Sequence, residues 1–452
     1  MKQIISVSLG SSGDDYEFKT EFLGQEFHIR RFGADGDKEK AAELLLRWDN
    51  TADAFALGGV KFHNIIGSKR ALDEYGKKLK TLTSRIETPI STGSALRNVA
   101  SEWALRHIQF KFNNYFNNAR VLFLSGMTSY NVARVMAEFT DNLTFADPVI
   151  DHGIPKFLNT LSDLELYAKG VHDVLDWVPG KRLVGSAMPL RMWNDHILRK
   201  AVQKATVIVV PYYDFFKLLE NCSLEELGGK IVITTTAYED RIAFLKEQGV
   251  DVVIDITPKI LERVVGISVL EALIGSALEK RVNEISDDDL LEVISSQKMD
   301  PRVVYPSGSP KRVNRFAFVI HPLSQEYFKK VKPVEMISGF SPPVFMDTLE
   351  KILAYSPPFI YSKISGVRSP TGVEAEGWLI TVGGTPKEML AHSPEFTYKR
   401  LLLAAKMAKR LGAQIMGLGA FTKVVGDSGA TVARLADIPI TTGNSYSASG
   451  AL

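Results

Sequence analysis

Short apolar runs, each followed by a glycine- or serine-marked turn and then by a stretch with apolar residues three and four positions apart, recur through the first half of the chain. A run of four to eight apolar residues between turn signals predicts a buried strand, and the 3.6-residue period predicts a helix. On that basis strands are expected at Ile4–Leu9, Ala54–Leu57, Val121–Leu124, Ala205–Val210, Lys230–Thr234 and Val252–Ile254. Helices are expected over Lys38–Trp48, Gly93–Ile108, Tyr130–Phe139, Asn194–Lys204 and Glu239–Gln248. Strand–helix alternation predicts a doubly wound, mostly parallel sheet with helices on both faces, an α/β class. The stretch from Gly228 to Asp255 is a complete βαβ unit, for which a right-handed crossover is expected.

Residues 259–280 read as a long amphipathic helix closing this region. The acidic triplet Asp287–Asp289 and the Pro-bearing stretch Lys298–Arg312 read as a polar linker, which puts a domain boundary near 300. A first α/β domain over 1–300 and a second, smaller α/β domain over 301–452 are therefore expected. In the second, Arg315 opens a strand that ends at His321-Pro322, and further strands fall at Phe359–Ile364 and Glu376–Thr381. Pro394–Leu411 is a predicted helix, with Ser393 as cap, proline at the first helical position and Gly412 as the stop.

Composition narrows the classes. The chain has 452 residues, 45% of them hydrophobic, with a formal net charge of +2, which favours neither nucleic acid nor an extended disordered state. No apolar run approaches the ~20 residues that span a bilayer, and the start does not read as a signal peptide. The single cysteine, Cys222, fits a reducing cytoplasm and reads as a buried small hydrophobe, since its near neighbours Glu220, Glu225 and Glu226 disfavour a thiolate.

Candidate chemistry lies where strands end. Gly58-Gly59 and Ser125-Gly126, the latter with Thr128 and Ser129, are the best candidates for a small anion, because a helix start presents free N–H groups there. For any single loop, an ordinary cap or tight turn is the commoner explanation. None fits a dinucleotide or P-loop pattern. The eight histidines show no metal-ligand spacing, so no metal is expected. His321 closes a strand, where it suits either proton transfer or turn formation.

The last forty residues are the most distinctive. An apolar run, Ile415–Leu418, leads into Gly417, Gly419, Gly426 and Gly429, as where a ligand or another backbone approaches closely. Leu418-Gly419-Ala420-Phe421-Thr422-Lys423 and Ile440-Thr441-Thr442-Gly443-Asn444-Ser445 follow the pattern L-G-(A/G)-F-T-S, spacer, F/V-T-T-G-N-(S/T). Over roughly residues 313–450 the chain resembles the long-chain acyl-[acyl-carrier-protein] reductase family, also called predicted amino acid dehydrogenases. Lys423 departs from the small residue usual there, and residues 1–300 carry no such resemblance.

The resemblance implies hydride transfer from a nicotinamide nucleotide to a fatty acyl thioester, giving an aldehyde. It places His321, Gly419, Phe421, Thr422, Thr442, Gly443, Asn444 and Ser445 on the substrate side of the site. It also implies a nucleotide-binding module after Leu452, and the acyl-accepting cysteine with it. The expectation is that this chain alone binds no cofactor, that NADP(H) comes with that module, and that acyl carrier protein or a coenzyme A thioester is the partner. A homo-oligomer is left open. The alternative is a non-catalytic module that binds a small ligand or a carrier protein, and a further reading makes 1–300 an independent α/β enzyme. Gly443→Val is expected to block close backbone approach and abolish reduction.

Overall fold

The computed structural model describes the chain apart from residues 60–61, 66–68, 73–85, 113, 172–187, 212, 221, 259, 262–263, 309–312, 323–353, 371–372, 420–421, 423–425 and 444–452. It divides into two compact units, Met1–Phe116 with Val121–Pro310, and Asn117–Arg120 with Lys311–Leu452. Both are α/β with mostly parallel sheets, and the second is the smaller.

The first unit carries two large sheets rather than one. In the first sheet, β1 (Lys2–Ser8) lies parallel between β3 (Gln25–Gly33) and β4 (Ala54–Gly58). The antiparallel edge strand β2 (Tyr16–Phe22) and the short β7 (Ile90–Ser91) complete it, while β5 (Phe62–Ile65) and β6 (Lys69–Leu72) form a separate hairpin. The second sheet comprises β8 (Val121–Phe123), β9 (Leu143–Phe145), β10 (Val207–Val210), β11 (Ile231–Thr234), β12 (Val252–Asp255) and β13 (Arg302–Val304), in the order β13-β12-β11-β10-β8-β9. All its neighbours pair in parallel except β13 with β12. The strands read as unbroken Val/Ile runs because both faces are covered: Ile208, Val232 and Val253 on one face and Val207, Ile233 and Ile254 on the other are all fully buried.

Three expectations are corrected here. The helix expected over 259–280 is confined to Ile267–Leu278 and is buried on nearly every side, between β1, β4 and β7 and the helix Ser94–Lys111. A helix covered all round needs no polar face. Asp287–Asp289 are the first turn of a helix, Asp287–Ser296, not linker: the Ser286 hydroxyl accepts from the Asp289 N–H, and the Asp289 carboxylate accepts from the Ser286 N–H. Residues 302–304 extend the second sheet as its antiparallel edge.

In the second unit, β14 (Val313–Ile320) lies parallel between β16 (Glu374–Thr381) and β17 (Ile415–Leu418). The antiparallel β15 (Phe359–Arg368) and the short parallel β18 (Ile440–Thr441) form the two edges. The helix Pro394–Leu411 ends at Gly412 in the left-handed region. It packs Leu401, Ala404, Ala405 and Ala408 into a core shared with Ala317, Val319, Ile380 and Met416. Alanines on that stripe let the helix approach the sheet closely, and each fully buried Leu or Ile contributes roughly 1.5–3 kcal/mol.

Candidate functional site

In an open α/β sheet, ligands bind at the carboxyl ends of the strands where the winding direction reverses. In the second unit β16 and β17 lie on opposite sides of β14, so the reversal falls between β14 and β17. The residues singled out in sequence gather at this edge. His321 follows β14 and is buried, its Nδ1 donating to the Pro322 carbonyl at 3.0 Å. Gly419 follows β17, its N–H donating to the Val319 carbonyl at 3.0 Å. Thr422 is buried, and its hydroxyl donates to the Gly419 carbonyl at 2.5 Å. Thr442 and Gly443 follow β18. Phe421, Asn444 and Ser445 lie outside the described residues.

The two glycines differ in kind. A Cβ on Gly419 would meet the Val319 carbonyl oxygen at 2.6 Å and the Phe318 ring at 2.8 Å, so close approach is real there. At Gly443 the same Cβ would meet none of the described residues within 4 Å, and the backbone φ there is +69°. Among the described residues the close approach is at Gly419. Asp427 is a local capping residue, accepting from the Thr431 N–H and hydroxyl and from the Tyr398 hydroxyl.

Two residues of this unit were missed. Thr381 ends β16, is 2% exposed, and its hydroxyl has no hydrogen-bond partner among the described residues. Thr397, in the first turn of the helix Pro394–Leu411, is equally buried, and its hydroxyl too lacks one among the described residues. A buried hydroxyl without a partner costs about 1–3 kcal/mol, so each marks a place where a polar group is wanted. The signal for Thr381 was its place after the apolar run Trp378–Ile380, at a strand end.

In the first unit the strand-to-helix turns are filled from within. The buried Asp147 carboxylate accepts from the Gly126 N–H at 2.8 Å, the Met127 N–H at 2.9 Å and the Ser125 hydroxyl at 3.2 Å. Asp255 accepts from the N–H groups of Thr236, Ala237 and Thr257, and pairs with Arg302 at 3.0 Å. Glu271 accepts from the N–H groups of Gly93, Ala95 and Leu96 and from the Ser91 hydroxyl at 2.6 Å. Burial pushes the carboxyl pKa of Asp147 and Asp255 up, while these donors pull it down. The anion expected at Ser125-Gly126 is therefore a side chain of this protein. Gly58 packs on Ser8, its neighbour in register, where a Cβ would meet the Ser8 Oγ at 2.7 Å; Gly59 is a turn with φ +82°. These two glycines close a turn rather than open a site.

Thr128 and Ser129 do face space. They line a cleft at the carboxyl ends of β10, β11 and β12, together with Arg97, Asn131 and Thr234. Its empty volume is about 410 Å³ with the open mouth included. Cys222 lies elsewhere, buried, its thiol pushed up to about 11 by burial and by Glu226. Among the described residues no group of His, Cys, Asp and Glu is arranged to hold a metal, and no helix is long and apolar enough to cross a membrane.

Residues 3–106 match the family described as Domain of unknown function (DUF8753), and residues 95–306 match Domain of unknown function (DUF8754). The chain is similar to Aminotransferase PigE of Serratia sp. (strain ATCC 39006), 26% identical over 131 residues. That match covers 29% of this chain and 15% of PigE, so the chain spans a small part of that relative. Among solved structures, it is similar to an ABC transporter periplasmic solute binding protein from Actinobacillus succinogenes 130z with bound D-allose. The TM-score is 0.31 at 10% identity, over 68% of this chain and 98% of the other. A Mycobacterium smegmatis protein in complex with beta-D-fucofuranose gives a TM-score of 0.27 at 10% identity, over 66% of this chain and 95% of the other. Likeness at that level says nothing about ligands.

Proposed function

We propose that this chain is the N-terminal and substrate-binding portion of an NAD(P)H-dependent acyl-thioester reductase-like oxidoreductase. The observation that carries the reading is convergence: His321, Gly419, Thr422, Thr442 and Gly443, distant in sequence, share the carboxyl edge of one sheet around its reversal point. In this reading the close backbone approach at Gly419 sets the wall against which the acyl thioester lies. The Thr381 hydroxyl, buried and without a partner, donates to the thioester carbonyl and favours the oxyanion that forms as hydride arrives. His321, fixed through Nδ1 on the Pro322 carbonyl, lines the same edge. The products are an aldehyde and the free thiol of acyl carrier protein or coenzyme A. The partial match to an aminotransferase covers too little of that protein to carry over its activity.

The turns of the first unit do not fit a nicotinamide dinucleotide. They lack the glycine pattern that cradles a pyrophosphate, and two of them hold the buried carboxylates Asp147 and Asp255, which repel one. The nucleotide and the acyl-accepting thiol are assigned to a module outside these residues.

The test uses the protein expressed at the full length of its native gene, supplied with NADPH and either an acyl-coenzyme A or an acylated carrier protein. The expected result is aldehyde formed in step with NADPH consumed. Thr381→Val should lower kcat/KM about tenfold, the equivalent of one hydrogen bond, without lowering the unfolding midpoint. No aldehyde with either thioester would overturn the reading.

A further inference from the structure

The cleft in the first unit is lined by residues of that unit alone and has a chemistry of its own. In the second sheet β9 and β10 flank β8 on opposite sides, so the winding reverses between β8 and β10, and the loops leaving those strands diverge there. The cleft opens at this point, lined by Thr128, Ser129 and Asn131 after β8, and by Thr234 at the end of β11. Its floor is apolar, formed by Val209, Val210, Ile233 and Ile256.

Three observations bear on what the cleft holds. First, the helix Tyr130–Phe139 begins here, and Ser129 caps it without a side-chain hydrogen bond. Each of the neighbouring turns at Gly126 and Ala237 is neutralised by its own carboxylate, and this helix start is not among the groups those carboxylates serve. The positive end of that helix dipole therefore faces the cleft. Second, Thr234 is 2% exposed and lines the cleft, and its hydroxyl has no hydrogen-bond partner among the described residues. Third, the charged residue among the described lining is Arg97, and no carboxylate is among them. Asp147 and Asp255 lie near, but their oxygens are engaged by backbone N–H groups and, for Asp255, by Arg302.

We propose that this cleft binds a small metabolite through a single oxyanion group, a carboxylate or a phosphate. The oxyanion sits against the start of the helix Tyr130–Phe139 and Arg97, and the ligand gives the Thr234 hydroxyl the hydrogen bond it lacks. This site is independent of the acyl-thioester reading, since it uses no residue of the second unit.

Inorganic phosphate and glycolate are the probes, with glycerol as the neutral control. Hydrogen exchange reports protection at Thr128–Val132 and Thr234, and calorimetry reports the dissociation constant. Protection there by phosphate above glycolate assigns a phosphate-bearing ligand, and the reverse order assigns a carboxylate. Thr234→Val, close to isosteric, and Arg97→Gln should each weaken binding about tenfold while the circular dichroism is unchanged. Equal protection by glycerol, protection by neither anion, or an undiminished affinity in Thr234→Val would each overturn the proposal.

Discussion

The Oδ2 of Asp147 lies 2.8 Å from the amide nitrogen of Gly126, and this contact closes the most anion-like turn of the chain from within. Asp147 is fully buried at the start of the short helix Asp147–His152, directly after β9, the strand beside β8. Adjacent parallel strands thus present a carboxylate and a pair of free N–H groups to each other. Asp255 and Glu271 repeat the arrangement at two further turns, so the first unit carries three internal anions where helix starts meet sheet ends.

Removing one of these carboxylates strands several donors at once. Asp147→Ala leaves the Gly126 and Met127 N–H groups buried without an acceptor and should cost about 2–4 kcal/mol. Glu271→Ala strands three N–H groups and the Ser91 hydroxyl and should cost more. Urea unfolding of both variants checks the size and the order. A loss under half a kcal/mol for either would mean that water replaces the carboxylate without penalty.

The acidic caps of the first unit predict a sign for pH dependence. The Asp289 carboxyl is held down at about 2, chiefly by the Lys280 ammonium and then by the Ser286 N–H. Its folded pKa lies below the ordinary value of ~3.9, so its contribution is present above pH ~4 and lost as the pH falls towards 2. Unfolding midpoints between pH 5 and pH 2 should fall less steeply in Asp289→Asn than in the parent protein. An identical slope would remove Asp289 from the account.

Cys222 gives a chemical check on the core. With its thiol near 11 and its sulfur buried, alkylation by iodoacetamide at neutral pH should be slow in the folded protein and fast in urea. Rapid alkylation of the folded protein would show a reactive thiolate and a different role for this residue.

At the second unit the two glycines separate by mechanism. Gly443→Ala should be tolerated at a cost of about 1 kcal/mol, because among the described residues nothing but its positive φ opposes it. Gly419→Ala forces its Cβ onto the Val319 carbonyl and should cost more, with activity falling alongside. Thermal midpoints of the pair check this order, and the reverse order would contradict the assignment of close approach to Gly419.

Local signals carried much of this fold. The helices Lys38–Trp48, Tyr130–Phe139 and Pro394–Leu411 have the bounds their apolar spacing and flanking turns predict. The hairpin of β2 and β3 escaped notice because Tyr16–Phe22 alternates aromatic residues with Glu and Lys, a half-exposed edge that reads as polar chain. The site residues show a sharper limit. His321 was legible because it ends an apolar run, and Thr422 only through the motif that carries the family resemblance. Glu271 was not: in sequence it is one acid in an apolar helix, and the Gly93 N–H it serves lies 178 residues away. Nor could Thr234 and Thr381 be told from the many threonines that end strands, since only packing shows that their hydroxyls lack partners.

The central claim, that the carboxyl edge of the second unit's sheet holds an acyl thioester, is tested most directly by photolabelling. A fatty acyl-coenzyme A with a diazirine near its thioester carbonyl would be irradiated with the protein and the labelled peptides mapped. Labelling at His321, Thr381 or Gly419–Thr422, suppressed by unlabelled acyl-coenzyme A, is the result the account predicts. Labelling confined to residues 1–300, or insensitive to competitor, would contradict it.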